Sequence, residues 1–74
     1  MAGVRLTFQE LINRMALMQF DDEVRCEENE RVVVVGDAPE GRFELYEGQE
    51  PCGCTDNLWT AAMFISDNEY LFFM

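Results

Sequence analysis

The run Val32-Val33-Val34-Val35 restricts the fold more than any other stretch of this chain. Consecutive β-branched residues disfavour helix, and a run without polar alternation suits a strand buried on both faces. A strand of that kind is a central one, so Arg31 to Val35 is expected to have a neighbour on each side. Glu23 to Glu27 supplies one, with Val24 and Cys26 on one face and the turn signal Glu28-Asn29 after it. Gly36-Asp37-Ala38-Pro39-Glu40-Gly41 is turn chemistry with two glycines and a proline. Arg42 to Glu47 then alternates, placing Phe43 and Leu45 inside and Arg42, Glu44 and Tyr46 outside.

Upstream the period changes from two to 3.6. Thr7 and Glu10 form a T-x-x-E capping box, and Leu6 stands where it can staple onto Leu11. Phe8, Leu11, Ile12, Met15 and Met18 follow as one apolar stripe, which predicts a helix over 7–19. Downstream, Gly48 to Asn57 reads as the longest irregular stretch. Leu58 to Ile65 and Glu69 to Met74 flank Ser66-Asp67-Asn68, which reads as a hairpin turn between two strands. The first of those runs also fits a helix capped by Thr55 or Asp56; the turn and the aromatic run after it favour the strand. Tyr70-Leu71-Phe72-Phe73-Met74 is too apolar for a loose end, so the last strand must be inserted in the sheet or covered by a partner. The expected architecture is α+β: one N-terminal helix packed on an antiparallel sheet of four to five strands, in a single acidic domain spanning 1–74.

Charge and residue types narrow the function. Fifteen acids against five cations give a net charge of −10 on 74 residues. That excludes a protein holding nucleic acid through phosphate contacts, and it disfavours docking on anionic membranes. All five cations are Arg, and His and Lys are absent. The usual general base near neutral pH is therefore missing, as are Schiff-base chemistry and the phosphate-loop lysine. Ser66, the sole serine, has no base to activate it, and a chain of this length has little interior for a walled cleft. A non-enzymatic role without cofactor is expected. No segment resembles a secretory signal or an apolar span, and three cysteines make a poor disulfide framework, so the cytoplasm is the expected address.

The acids are the main signal. Asp21-Asp22-Glu23 and Glu27-Glu28-Glu30 flank the first strand, Glu44 and Glu47 belong to the third, and eleven of the fifteen acids fall between 21 and 50. Residues two apart on a strand repeat about every 6.8 Å, the order of phosphate spacing in nucleic acid. Carboxylates so held can present a phosphate-like ladder to a basic cleft. A solvated acidic face is the plain alternative. The magnitude favours mimicry, since solubility needs a net charge of only about 2 to 8 and a larger one opposes folding by self-repulsion. Asp21-Asp22-Glu23 lacks a calcium-loop pattern. Cys52-Gly53-Cys54 could close a zinc site only with Cys26 and a carboxylate, because no His exists; no metal is expected, and Cys26 reads as a small core residue. Trp59 reads as core in a domain short of volume, and Tyr46, between Glu44 and Glu47, as an interface residue.

The helix Phe8-Gln9-Glu10-Leu11-Ile12-Asn13-Arg14 and the acidic strands through Glu47 resemble the helix-then-hairpins half of acidic anti-CRISPR proteins. Leu58-Trp59 before Ser66-Asp67-Asn68 is similar to the Trp-bearing final hairpin of the uracil-DNA glycosylase inhibitor. The resemblance is to small phage-encoded inhibitors that imitate nucleic acid, and it implies that class of function without assigning an individual partner. The expected partner is a basic nucleic-acid-binding protein of the host, met through Asp21, Asp22, Glu23, Glu27, Glu28, Glu30, Glu44, Tyr46 and Glu47. The alternative is an interaction module or homodimer that uses the apolar C-terminal strand without mimicry.

Overall fold

The computed structural model describes residues 4–39, 41–66 and 70–73. In chain order they form β1 (Val4–Thr7), α1 (Phe8–Ala16), β2 (Glu23–Arg25), β3 (Arg31–Ala38), β4 (Gly41–Glu47), β5 (Glu50–Thr55), α2 (Leu58–Ile65) and β6 (Tyr70–Phe73). The sheet is antiparallel with strand order β2-β3-β4-β5, and β1 and β6 make a separate antiparallel ribbon. The fold is α+β, with helices packed on one face of a four-stranded sheet. The C-terminal strand is hydrogen-bonded to β1 in register Val4↔Phe73 to Thr7↔Tyr70, outside the main sheet.

Helix α1 begins as the sequence dictates. Thr7 Oγ1 accepts from Glu10 N at 3.2 Å while Glu10 Oε1 accepts from Thr7 N at 2.8 Å, so two otherwise orphan amides are satisfied reciprocally. These bonds hold the Glu10 carboxyl below the usual carboxylate range. The helix ends at Ala16, earlier than the expected Gln19. Leu17 N and Met18 N bond back to Arg14 O and Met15 O, three residues away, which tightens the last turn and ends the α period. Met18 nevertheless joins Leu11, Ile12 and Met15 in the core, so the stripe outlasts the helix.

Strand β3 is an inner strand, as the valine run requires. Val33 sits between Val24 and Leu45, and Val35 opposite Phe43; all five are buried against the helices. Val32 is buried on the opposite face, between Arg25 and Tyr46. The strand runs on through Gly36 and Asp37 to Ala38, beyond the expected Val35, because a register shift after Val35 absorbs part of the expected turn. Strand β2 is shorter than expected, ending at Arg25, although Cys26 still faces the core.

Two expectations are corrected. Gly48 to Asn57 is mostly strand: a tight turn with Gly48 at φ 63° leads into β5, which bulges at Cys52 beside Gly53 at φ 139°. Leu58–Ile65 is helix and not strand, and its cap is Asn57, whose Oδ1 accepts from Thr60 N at 3.0 Å. Leu58, Ala61, Ala62 and Ile65 face the core at helical spacing, the two alanines allowing close approach. Trp59 therefore falls on the outer side, 54% exposed against Phe8, and not in the core. With Leu58–Ile65 helical, the residues after it do not join two strands of one hairpin; Asp67 and Asn68 lie outside the described residues, as does Glu40.

The far end of α2 is held from the sheet. Arg31 Nη1 donates to Phe64 O at 2.7 Å, its guanidinium lies 4.9 Å from the centre of the Phe64 ring, and Asn29 Nδ2 donates to Ile65 O at 3.1 Å. A cation and an amide thus satisfy C-terminal carbonyls and complement the negative end of the helix dipole. Arg31→Met should cost about 2 kcal/mol in urea unfolding, the scale of a lost charge-assisted hydrogen bond. Arg25→Met, which removes an exposed 3.1 Å ion pair with Glu23, should change stability by less than about 1 kcal/mol.

Candidate partner-binding surface

Strand β2 has an acidic turn at each end, and the two turns share one construction. Gln19–Asp22 closes with Asp22 N on Gln19 O at 2.9 Å, while Asp22 Oδ2 accepts from Gln19 N at 2.9 Å. Asp21 N then donates to Val35 O at 2.8 Å, and Val35 N donates to Asp22 O at 2.9 Å. Two residues therefore face one, and the extra residue, Asp21, has φ 73°. At the other end Glu30 N donates to Cys26 O and Cys26 N to Arg31 O, both at 3.0 Å, with Glu30 at φ 61°. Both are bulges of the type that places glycine in the left-handed region. Here an aspartate and a glutamate occupy those positions, at a cost of about 1 to 2 kcal/mol each in backbone strain.

The nine residues expected to meet a partner divide into three groups. Asp21, Asp22 and Glu23 lie exposed at the start of β2. Glu27, Glu28 and Glu30 lie exposed in the turn beyond its far end, and Glu47 belongs with them. Glu30 O accepts from Gly48 N at 2.8 Å, which brings this second turn beside the β4–β5 turn, where exposed Glu47 and Glu50 face each other in register. Like charges directly across a hairpin are destabilising. Among the described residues, none of Glu27, Glu28, Glu30, Glu47 and Glu50 has an ion-pair partner.

Glu44 and Tyr46 form the third group, half-buried on the sheet face turned away from the helices. Glu44 aligns across Val34 with Glu23, and Tyr46 across Val32 with Arg25. The Tyr46 hydroxyl donates to Glu44 Oε1 at 2.9 Å. This bond, and then the carboxylate charge, raise the Tyr46 phenol above its ordinary value of 10.0. Glu44 also lies over Gly36, where a Cβ would collide with its carboxylate. These two side chains are thus engaged with their own sheet, whereas the two turns of β2 leave their carboxylates exposed.

The three cysteines do not converge. Cys26 is buried beside β2 while Cys52 and Cys54 lie on β5, three strand spacings or about 14 Å across the sheet. Among the described residues no group of three or more His, Cys, Asp or Glu is arranged to hold a metal ion, and no helix is long and apolar enough to cross a membrane. What the sequence reading missed is apolar exposure. Leu17, Phe20 and Met63 are 81%, 70% and 67% exposed, besides Trp59. The only sequence signals are that Leu17 falls between the stripe positions Met15 and Met18 and off their spacing, and that Phe20 lies beyond the stripe next to Asp21-Asp22-Glu23.

Asp21→Gly and Glu30→Gly should each stabilise the fold, by about 0.5 to 1 kcal/mol, because relief of the left-handed strain exceeds the entropy glycine adds to the unfolded chain. Chemical denaturation measures this directly. In a spectrophotometric titration of phenolate absorbance, Tyr46 should ionise above 10.0, and Glu44→Gln should bring it back toward that value. The hydrogen bond's contribution to stability is complete below pH 10 and is lost as pH rises through the raised value.

No protein-family model matches this chain, and no curated protein or solved structure matches it.

Proposed function

We propose that the chain is a non-enzymatic inhibitor that imitates nucleic acid. It occupies the basic DNA- or RNA-binding cleft of a host defence or repair protein, in the manner of phage-encoded anti-CRISPR proteins, and acts in the host cytoplasm. The observation that carries this reading is the pair of acidic turns flanking β2, each with a carboxylate where backbone geometry favours glycine. Strain retained at a surface position points to a use for the side chain there. In this reading Asp21, Asp22, Glu23, Glu27, Glu28 and Glu30 stand in for phosphates along one strand. Glu47 extends the row, and Glu44 with Tyr46 borders it on the sheet face. The net charge of −10 steers the partner in and makes its association salt-dependent.

A second reading, an interaction module without mimicry, is favoured by exposed Trp59 and Met63, one turn apart on α2. Its version through the C-terminal strand is less well supported, because β6 is already paired with β1.

The test is capture of partners from host lysate on the tagged protein, eluted first by a salt gradient and separately by a DNA or RNA oligonucleotide. A nucleic-acid-binding protein should elute at moderate salt and be displaced by the oligonucleotide. Reversing Glu27 and Glu28 together to Lys should abolish its capture while leaving the circular dichroism spectrum unchanged. Partners that resist salt and oligonucleotide alike, or capture unchanged by the reversal, overturn the proposal.

A further inference from the structure

We infer that the groove between the C-terminal end of α1 and β2 receives a basic amphipathic segment of the partner: apolar side chains flanked by Lys or Arg, not cations alone. The inference deepens the proposed function and rests on its reading of the partner as basic. Leu17 and Phe20 are 81% and 70% exposed within four residues of each other, and folding explains neither. Leu17 is the C-cap of α1, a position that needs no large apolar side chain. Phe20 stands at the corner of the Gln19–Asp22 turn, whose hydrogen bonds use only Gln19 and Asp22. Leu17 lines an open groove of about 420 Å³ with Asn13, Arg14, Met18, Asp22 and Glu23, and Phe20 lies between Met18 and Asp22 in the chain. That volume lies at the small end of what seats a drug-sized group, room for a few side chains of an incoming segment.

Charge selects among occupants. Asp22 and Glu23 line the groove with one arginine, Arg14, and exposed Asp21 directly precedes them in the chain. A second copy would bring the same three acids against their own kind, which is repulsive. Anionic lipid and nucleic acid are repelled on the same ground. A purely cationic cleft would satisfy the acids and leave Leu17 and Phe20 facing polar groups. A segment carrying both chemistries satisfies both halves of the rim.

The full chain is titrated with two synthetic peptides of equal length and equal Lys content. One has Leu at helical spacing, and the other has Ser in place of each Leu. Affinity is read by calorimetry and the contact by amide chemical shifts. The Leu peptide should bind at least about tenfold more tightly, with shifts centred on residues 13–23. The double variant Leu17→Gln, Phe20→Gln alters only exposed side chains. It should reduce the Leu peptide to the affinity of the Ser peptide and leave the Ser peptide unchanged. Equal affinities for the two peptides overturn the inference and leave the acidic surface standing. Shifts centred on Glu27 to Glu30, or on Trp59, also overturn it. Failure of both peptides to bind at low salt overturns this inference and the proposed function together.

Discussion

The structure hangs on β3. Its hydrogen-bonding edges carry β2 and β4, and Val33 and Val35 turn toward the helices while Val32 is buried on the other side. Its first residue, Arg31, reaches across to the end of α2, and Val35, farther along, pins both residues of the Asp21–Asp22 bulge. One strand thus sets the sheet, the seat of the second helix and the shape of an acidic turn. A core this small has few elements to spare, so the residues that organise packing also organise the surface. Arg31 illustrates the economy: on an acidic chain it is not spent on a carboxylate, although Glu47 lies opposite it in register, but on the carbonyl of Phe64.

Unlike Glu10 in the capping box and Asp22 in its turn, most of the exposed acids work against folding. Eleven of the fifteen are gathered between residues 21 and 50, and the pairing of Glu47 with Glu50 across a hairpin adds local repulsion. Two of the eleven, Asp21 and Glu30, hold left-handed backbone that glycine would adopt without strain. Consistency between local preference and global fold is the usual state of a chain, and departures from it concentrate where a surface is used. Glu44 and Tyr46 differ in kind. Their hydrogen bond stabilises their own sheet, which sets them at the border of the surface and not at its centre.

Much of this was legible in the sequence, for reasons that can be named. The capping box fixed the start of α1, alternation fixed the inward and outward faces of β4, and the valine run fixed β3 as an inner strand. The end of α1 was less legible, because Met18 keeps the helical spacing after the backbone has left it. Helix α2 was misread since Leu58-Trp59-Thr60-Ala61-Ala62-Met63-Phe64-Ile65 is apolar nearly throughout, so neither period stands out. A strand there would put Trp59 in the core, whereas the helical period turns it outward and Ala61 and Ala62 fill the inner side. Strand β5 was hidden by Pro51 and Gly53, residues that mark a turn unless a bulge accommodates them. The left-handed positions left no trace at all, because the signal for them is glycine and the chain has Asp and Glu there.

In the proposed function, charge and apolar surface have separate jobs. Exposed carboxylates act at a distance: they raise the rate of encounter with a basic partner and are weakened by salt. They contribute little to how long a complex lasts, since a solvated ion pair is worth about 1 kcal/mol or less. Dwell time depends on desolvated apolar anchors, and most affinity differences among related complexes lie in dissociation. At the start of β2 the two kinds of group are contiguous, Leu17 and Phe20 leading directly into Asp21, Asp22 and Glu23. At its far end Glu27 and Glu30 line a second groove with Arg25, Cys26 and Val32, and no exposed large hydrophobic residue lies between Cys26 and Glu30 in the chain. In the proposed function the first end supplies the exposed apolar anchors, and the acids of both ends supply the attracting charge. The three-residue strand β2 links the two turns directly, which keeps both kinds of group within one small surface.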